Sequence, residues 1–138
     1  MKNLSIKAEK LKIIPNKKGD ILRVVEKKFL RRRKIEEIYF SKIKYNQIKA
    51  WKYHNKKKSI LIVPIGSVKF VFYFPKLKKF KTYIIGEKNY QRLLVPPKVW
   101  FGFKGLNKKN NLIINLSDSM HSEKEVLRKE INQIIYKW

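Results

Sequence analysis

The chain contains no cysteine, and its 138 residues include only 5 glycines, 5 prolines and 10 acidic side chains. Without cysteine there is no disulfide framework, no thiolate zinc site and no thiol nucleophile. No Gly/Ser linker, internal repeat or low-complexity tract marks a boundary, so the expectation is a single domain over residues 1–138 with its own core, consistent with a 43% hydrophobic composition. No run approaches the ~18 consecutive apolar residues of a membrane-spanning helix. The segment Met1 to Lys10 lacks the apolar stretch of a signal peptide. The expected location is the cytoplasm, with no membrane span.

The shortage of acid against 35 basic residues leaves a formal charge of +25. Such an excess attracts polyanions: nucleic acid, an acidic membrane surface or a phosphorylated small molecule. Arginine occurs only at Arg23, Arg31, Arg32, Arg33, Arg92 and Arg128, so the excess is mostly lysine scattered along the chain. Scattered lysine reads first as solvated surface, because bidentate phosphate and base recognition favours arginine. The one dense cluster, Lys27, Lys28, Arg31, Arg32, Arg33 and Lys34, reads as a loop between strands that could also touch phosphates.

Short apolar runs separated by turn signals favour strands over helices. They predict strands at 11–14, 21–25, 35–43, 47–53, 60–65, 68–74, 82–85, 92–95 and 112–116. The clearest hairpin signal is SILIVPIGSVKFVFYF, with Gly66 and Ser67 between two β-rich runs that should pair antiparallel. Both runs are apolar almost throughout, as expected of strands buried on more than one side. Near the C-terminus, Ser122-Glu123-Lys124-Glu125 reads as a capping box, and Val126, Leu127 and Ile131 follow with rough helical spacing. The expected fold is therefore all-β, a jelly roll with a short C-terminal helix, since closed β architectures leave no exposed edges.

Aromatic and polar residues concentrate in Lys49-Ala50-Trp51-Lys52-Tyr53-His54 and in Pro96-Pro97-Lys98-Val99-Trp100-Phe101-Gly102-Phe103. By strand alternation, Lys52 and His54 share one face, Trp51 and Tyr53 the other, and Lys49 faces opposite to Lys52. A lone histidine in a strand is more often a structural hydrogen-bonding group than a catalyst. His121, beside the expected helix cap, reads as an exposed loop residue.

The blocks IKAWKYH, VPIG, NYQRLLVPPKVWFGFKGL and IYKW, in that order, resemble the dTDP-4-dehydrorhamnose 3,5-epimerase family and its sugar-ketoisomerase relatives. The resemblance spans nearly the whole chain from Ile13 to Trp138. It implies a cupin-like jelly roll (double-stranded β-helix) that binds a nucleotide-diphosphate sugar and forms a homodimer. It also implies an isomerase of surface-polysaccharide synthesis that needs no cofactor. In metal-binding cupins the ligand positions are His, His, Glu and a late His; here they read Lys52, His54, Ser59 and Phe101. A lysine ammonium has no free lone pair and phenylalanine no donor, so no metal is expected.

The family's histidine base corresponds to Lys52, and its tyrosine acid falls on Ile114. Its supporting carboxylate lies near the C-terminal block, where Glu130 is the nearest candidate. The catalytic candidates are thus Lys52, His54 and Glu130. Two readings of Lys52 stand together: a base with a depressed pKa, or a structural partner of Glu130 at the barrel mouth. For substrate binding, Tyr73 and Trp100, with Tyr53 and Tyr90, are candidates to stack a base. Lys18, Lys49 and Arg92 are candidates for the diphosphate, Lys18-Gly19 resembling the family's N-terminal Arg-Gly element. Each aromatic taken singly is also a plausible core residue. Two alternatives remain: a non-catalytic sugar-nucleotide-binding cupin, and a basic nucleic-acid-binding β-barrel. Nucleic acid is the less favoured partner, because the aromatics sit inside apolar strands and are not interleaved with basic residues.

Overall fold

A computed structural model describes residues 5–138. Its strands are β1 (Lys7–Lys10), β2 (Ile13–Ile14), β3 (Ile21–Leu22), β4 (Glu37–Lys42), β5 (Ile48–His54), β6 (Ser59–Ile65), β7 (Ser67–Phe74), β8 (Lys79–Gly86), β9 (Gln91–Val95), β10 (Trp100–Gly105), β11 (Leu112–Ser117) and β12 (Val126–Arg128). One helical turn, α1 (Lys27–Leu30), follows β3, and a 3-10 turn covers Ile131–Gln133. Two antiparallel five-stranded sheets face each other, in the orders β1-β9-β6-β11-β4 and β12-β5-β10-β7-β8. This is the jelly-roll architecture the sequence predicts. No helix among the described residues is long and apolar enough to cross a membrane.

Alternation sorts each strand's residues between an interior and an outer face. The interior holds Leu61 and Val63 from β6, Phe70 and Phe72 from β7, Leu93 from β9, Phe101 from β10 and Ile113 from β11. Phe70 and Phe72 are wholly buried, and each burial of this kind is worth about 1.5–3 kcal/mol. Ile60 and Ile62, on the opposite face of β6, meet a second cluster that Leu22, Val24, Phe29 and Ile35 cover from outside. That double burial explains why this strand is apolar at nearly every position.

Three expectations need correction. The runs on either side of Gly66 are strands, but they do not pair with each other: β6 pairs with β9 and β11, and β7 with β8 and β10. Gly66, at φ +84°, turns the chain from one sheet into the other. A Cβ there would lie 2.1 Å from the Asn110 carbonyl oxygen. The turn is held by its surroundings, with the Gly66 amide donating to Glu87 Oε2 at 2.8 Å and the Ser67 amide to Asn111 Oδ1 at 3.0 Å. The predicted C-terminal helix is also replaced. Val126 to Arg128 form an edge strand on β5, and the only helical segment there is the 3-10 turn, capped by Glu130 and Gln133. Burying Val126 against β5, with Leu127 and Arg128 left exposed, fits a strand better than the sparse helical spacing. Within the basic cluster, Lys27 and Lys28 belong to α1 and not to a plain loop.

Candidate active site

Between the sheets lies a cavity of about 400 Å³ whose floor is apolar, with Leu61, Phe70, Phe101, Phe103 and Ile113. Its walls are polar: Tyr39 and Ser41 from β4, Asn115 from β11, Lys49 and Lys52 from β5, and Arg128 and Glu130 from the C-terminal segment. The volume lies within the range of small-molecule sites, which are mostly apolar with a few placed polar groups.

The cationic wall depends on an irregularity in β5. Phe101 pairs with Lys52 and Phe103 with Lys49, so two steps along β10 match three along β5. One extra residue is accommodated as a β-bulge. Ala50 and Trp51 consequently both pack on the outer face, against Val71, Trp100 and Ile134. Lys49 and Lys52 then share the interior face, contrary to the strict alternation expected from the sequence. Lys49 donates from Nζ to the Lys42 carbonyl at 2.8 Å. Arg128 is the register partner of Lys52, and its Nη1 bonds Glu123 Oε2 at 2.8 Å. Lys52 keeps much of its surface open, yet partial burial, together with the charges of Arg128 and Lys49, lowers its amine below the usual lysine value.

His54 follows Lys52 on the same face, and its ring stacks on Phe101 at 5.9 Å between centroids. Its Nδ1 lies 2.8 Å from Glu125 Oε2. The other oxygen of Glu125 accepts from the amides of Lys56 at 2.6 Å and Lys57 at 2.9 Å. Burial works to raise the Glu125 pKa, but those two amides and the histidine outweigh it and hold the group lowered. Burial is the main cause lowering His54, with Lys57 and Lys52 adding to it against the pull of Glu125. An ionised carboxylate can only accept, so Nδ1 carries the proton and Nε2 keeps its lone pair. The pair is a neutral imidazole oriented by a carboxylate, the arrangement of a general base.

The acidic partner expected at Glu130 is therefore Glu125. Glu130 lines the cavity but caps the 3-10 turn, and it forms no ion pair with Lys52 among the described residues. Position 114 holds no acid, but β4 supplies a phenol that the sequence reading missed. Tyr39 Oη accepts from Asn115 Nδ2 at 2.9 Å, and Asn115 Oδ1 in turn accepts from Ser117 Oγ at 3.0 Å. Since Oη accepts from Asn115, its own proton is free for a ligand in the cavity. Burial, then the nearby Glu37, raises the Tyr39 pKa. The signal available was alternation in β4, which sets Tyr39 and Ser41 on the face opposite Ile38 and Phe40; Tyr39 itself is still 39% exposed, less than Ile38 at 59% and Phe40 at 67%.

The remaining candidates lie outside the cavity. Trp100 and Tyr73 pack on the outer face with Trp51, Tyr53 and Trp138, the Trp100 ring 5.1 Å from Tyr53. Tyr90 is buried and donates to the Arg23 carbonyl at 2.8 Å. Arg92 lies on the outer side of the other sheet, bonded to Glu9 at 2.8 Å and 3.5 Å above the Phe29 ring. Lys18 is exposed in the turn between β2 and β3, and His121 is exposed and bonded to Glu123 at 2.7 Å. Of the sequence candidates, the cavity brings together Lys49, Lys52 and Glu130, with His54 adjoining.

No protein-family model and no curated sequence matches the chain. Solved structures do. The chain is 28% identical to a dTDP sugar isomerase from Desulfovibrio desulfuricans G20, covering 96% of this chain and 90% of that one with a TM-score of 0.90. A dTDP-4-dehydrorhamnose 3,5-epimerase from Sulfolobus tokodaii matches at 21% identity over 98% of this chain and 84% of that one, TM-score 0.82. A sugar 3,4-ketoisomerase from Thermoanaerobacterium thermosaccharolyticum, solved with TDP, matches at 21% identity over 94% and 90%, TM-score 0.77. In fold as in its sequence blocks, the chain resembles the dTDP-sugar isomerases and epimerases.

Proposed function

We propose that this chain is a nucleotide-sugar isomerase or epimerase acting on a substrate of the dTDP-4-keto-6-deoxyhexose type. The observation that carries the reading is the His54–Glu125 hydrogen bond beside a cavity walled by Lys49, Lys52 and Arg128. A carbon next to a ketone loses its proton readily only if a neutral base stands ready and the resulting enolate oxygen is stabilised. His54 Nε2 takes the C–H proton, and the electron pair moves onto the carbonyl oxygen. Tyr39 donates its phenolic proton to that oxygen, or returns a proton to carbon from the opposite wall. Lys49, Lys52 and Arg128 hold the diphosphate, and the phenylalanine floor accepts the apolar part of the sugar. Lys52 serves as a charge in this scheme.

The resemblance also supports a place in surface-polysaccharide synthesis and a homodimer. Ile38 and Phe40, 59% and 67% exposed on the outer side of edge strand β4, offer apolar area for a second copy. Sedimentation velocity with Phe40→Glu tests the dimer: the wild type should sediment as a dimer and the variant as a monomer.

Deuterium exchange tests the reaction. The protein is incubated with dTDP-4-keto-6-deoxyglucose in deuterated water, and incorporation at sugar carbons is followed by NMR. His54→Gln should lower incorporation by roughly 10²- to 10⁴-fold, the scale of a lost general base. Nucleotide-sugar binding without exchange in the wild type would leave a binding protein and remove the isomerase.

A further inference from the structure

On the outer side of the sheet β1-β9-β6-β11-β4 lies a second cavity, of about 430 Å³, that the proposed reaction does not use. Its walls come from β1 and the residues just after it, from the segment between β3 and α1, from α1 with Arg33, and from Arg92 of β9. Six cations line it, Lys10, Lys12, Arg23, Lys28, Arg33 and Arg92, against two acids, Glu9 and Glu26. Among the described residues, Arg92 is the only one of the six with a carboxylate within 4.0 Å, that of Glu9 at 2.8 Å. Like charges gathered round one space repel each other unless an anion joins them. Two of the six are held in place. The guanidinium carbons of Arg33 and Arg92 stand 3.9 Å and 3.5 Å from the centroid of the Phe29 ring, and cation–π attraction fixes both side chains over one residue. Arg33 donates from Nη1 to the Phe29 carbonyl at 3.1 Å; Arg92 donates from Nε to Glu9 at 2.8 Å and from Nη1 to the Val24 carbonyl at 3.0 Å. Among the described residues nothing accepts from Nη2 of either arginine or from Nε of Arg33, and the Arg92 Nη2 is not shut off from solvent. The whole Nε–Nη2 edge of Arg33 is thus unused.

We propose that this cavity is a second binding site, for the phosphate group of a small molecule, with Arg33 and Arg92 as its fixed donors and Lys10, Lys12 and Lys28 neutralising the charge around them. A guanidinium edge presents two parallel donors that match two phosphate oxygens, and one already held against a ring loses little freedom on binding. An excess of cations over acids suits a multiply charged phosphate better than a single carboxylate. Nucleic acid is a poorer occupant. Strand binders offer an open groove with aromatic faces for the bases, whereas Phe29 is already taken up by two guanidinium groups. The dense basic cluster of the sequence contributes Lys28 and Arg33 to this site, while Lys27, Arg31, Arg32 and Lys34 do not line it. The site is independent of the isomerase reading, since none of its residues lines the cavity of Lys49 and Lys52.

The test is an NMR titration of the full chain with inorganic pyrophosphate at about 150 mM salt, where exposed charges are well screened, and with no keto-sugar present. The backbone amides of Phe29 and Arg33 and the Nε signals of Arg33 and Arg92 should shift along one saturating curve. Arg33→Gln should weaken that binding by about tenfold, the worth of a charge-assisted hydrogen bond, and Lys28→Gln should weaken it in the same direction. Both side chains are exposed, so both variants should fold, which thermal unfolding checks. Lys27→Gln removes the same charge from outside the cavity and should leave the affinity within a factor of about two. Shifts that do not saturate, that spread evenly over the lysines, or that fall only on the cavity of Lys49 and Lys52 overturn the proposal. So does an equal loss in Lys27→Gln and Arg33→Gln. Acetate binding as tightly as pyrophosphate at these residues removes the phosphate assignment, and tighter binding there of a single-stranded RNA of about 12 nucleotides replaces the small molecule with nucleic acid.

Discussion

At the scale of single residues the site is defined by which groups carry protons. His54 is lowered from 6.5 and Glu125 from 4.5 in the folded chain. Both then bind fewer protons folded than unfolded, His54 below pH 6.5 and Glu125 below pH 4.5, so stability falls as pH drops through each folded value. Thermal unfolding followed from pH 7.5 to pH 4 should show the transition temperature falling from about pH 6.5 downward. His54→Gln should remove the upper part of that fall and leave the lower part. A transition temperature flat from pH 6.5 to pH 5 would mean that His54 is not held neutral. Tyr39→Phe keeps the ring and removes the donor. It should reduce exchange by about 10²-fold, a typical worth of one positioned acid, while nucleotide-sugar affinity measured by calorimetry stays within a factor of about three.

The elements show why some of this was legible and some was not. The strands at 60–65, 68–74, 92–95 and 112–116 were readable because interior packing and a second outer cover make them apolar at almost every position. Their pairing was not readable, since a glycine turn gives the same pattern whether the chain doubles back or crosses to the facing sheet. Edge strand β1 is charged at three of its four positions and shows no period, while β12 is a three-residue strand whose apolar Val126 and Leu127 fit a helical spacing with Ile131 equally well. His54 and Lys52 were rightly placed on one face, but Lys49 was misplaced because a bulge leaves no mark in composition. That bulge is held from outside. A Cβ at Gly102 would come within 2.6 Å of Ala50 Cβ and 2.9 Å of Trp138 Cη2. Gly102→Ala should therefore cost about 1–3 kcal/mol in urea unfolding. It should also weaken nucleotide-sugar binding, by disturbing the bulge that aims Lys49 at the cavity. An unchanged midpoint would show that β5 and the C-terminal tail yield without strain.

Over the whole molecule the charge of +25 is spread on a surface whose acids are few, while the cations that meet the cavity are a small subset. Partly enclosed charges are screened less by salt than exposed ones. Nucleotide-sugar binding should weaken only modestly between 50 mM and 300 mM salt, and the steep loss expected of a nucleic-acid binder should be absent. On the proposed function, the cavity moves a proton on a keto-sugar through His54. The most direct measurement is deuterium incorporation into dTDP-4-keto-6-deoxyglucose by the wild type and by His54→Gln, side by side, at neutral pH. Incorporation is expected at a carbon flanking the ketone in the wild type, and its loss in the variant with binding retained. Incorporation that survives His54→Gln undiminished would contradict it.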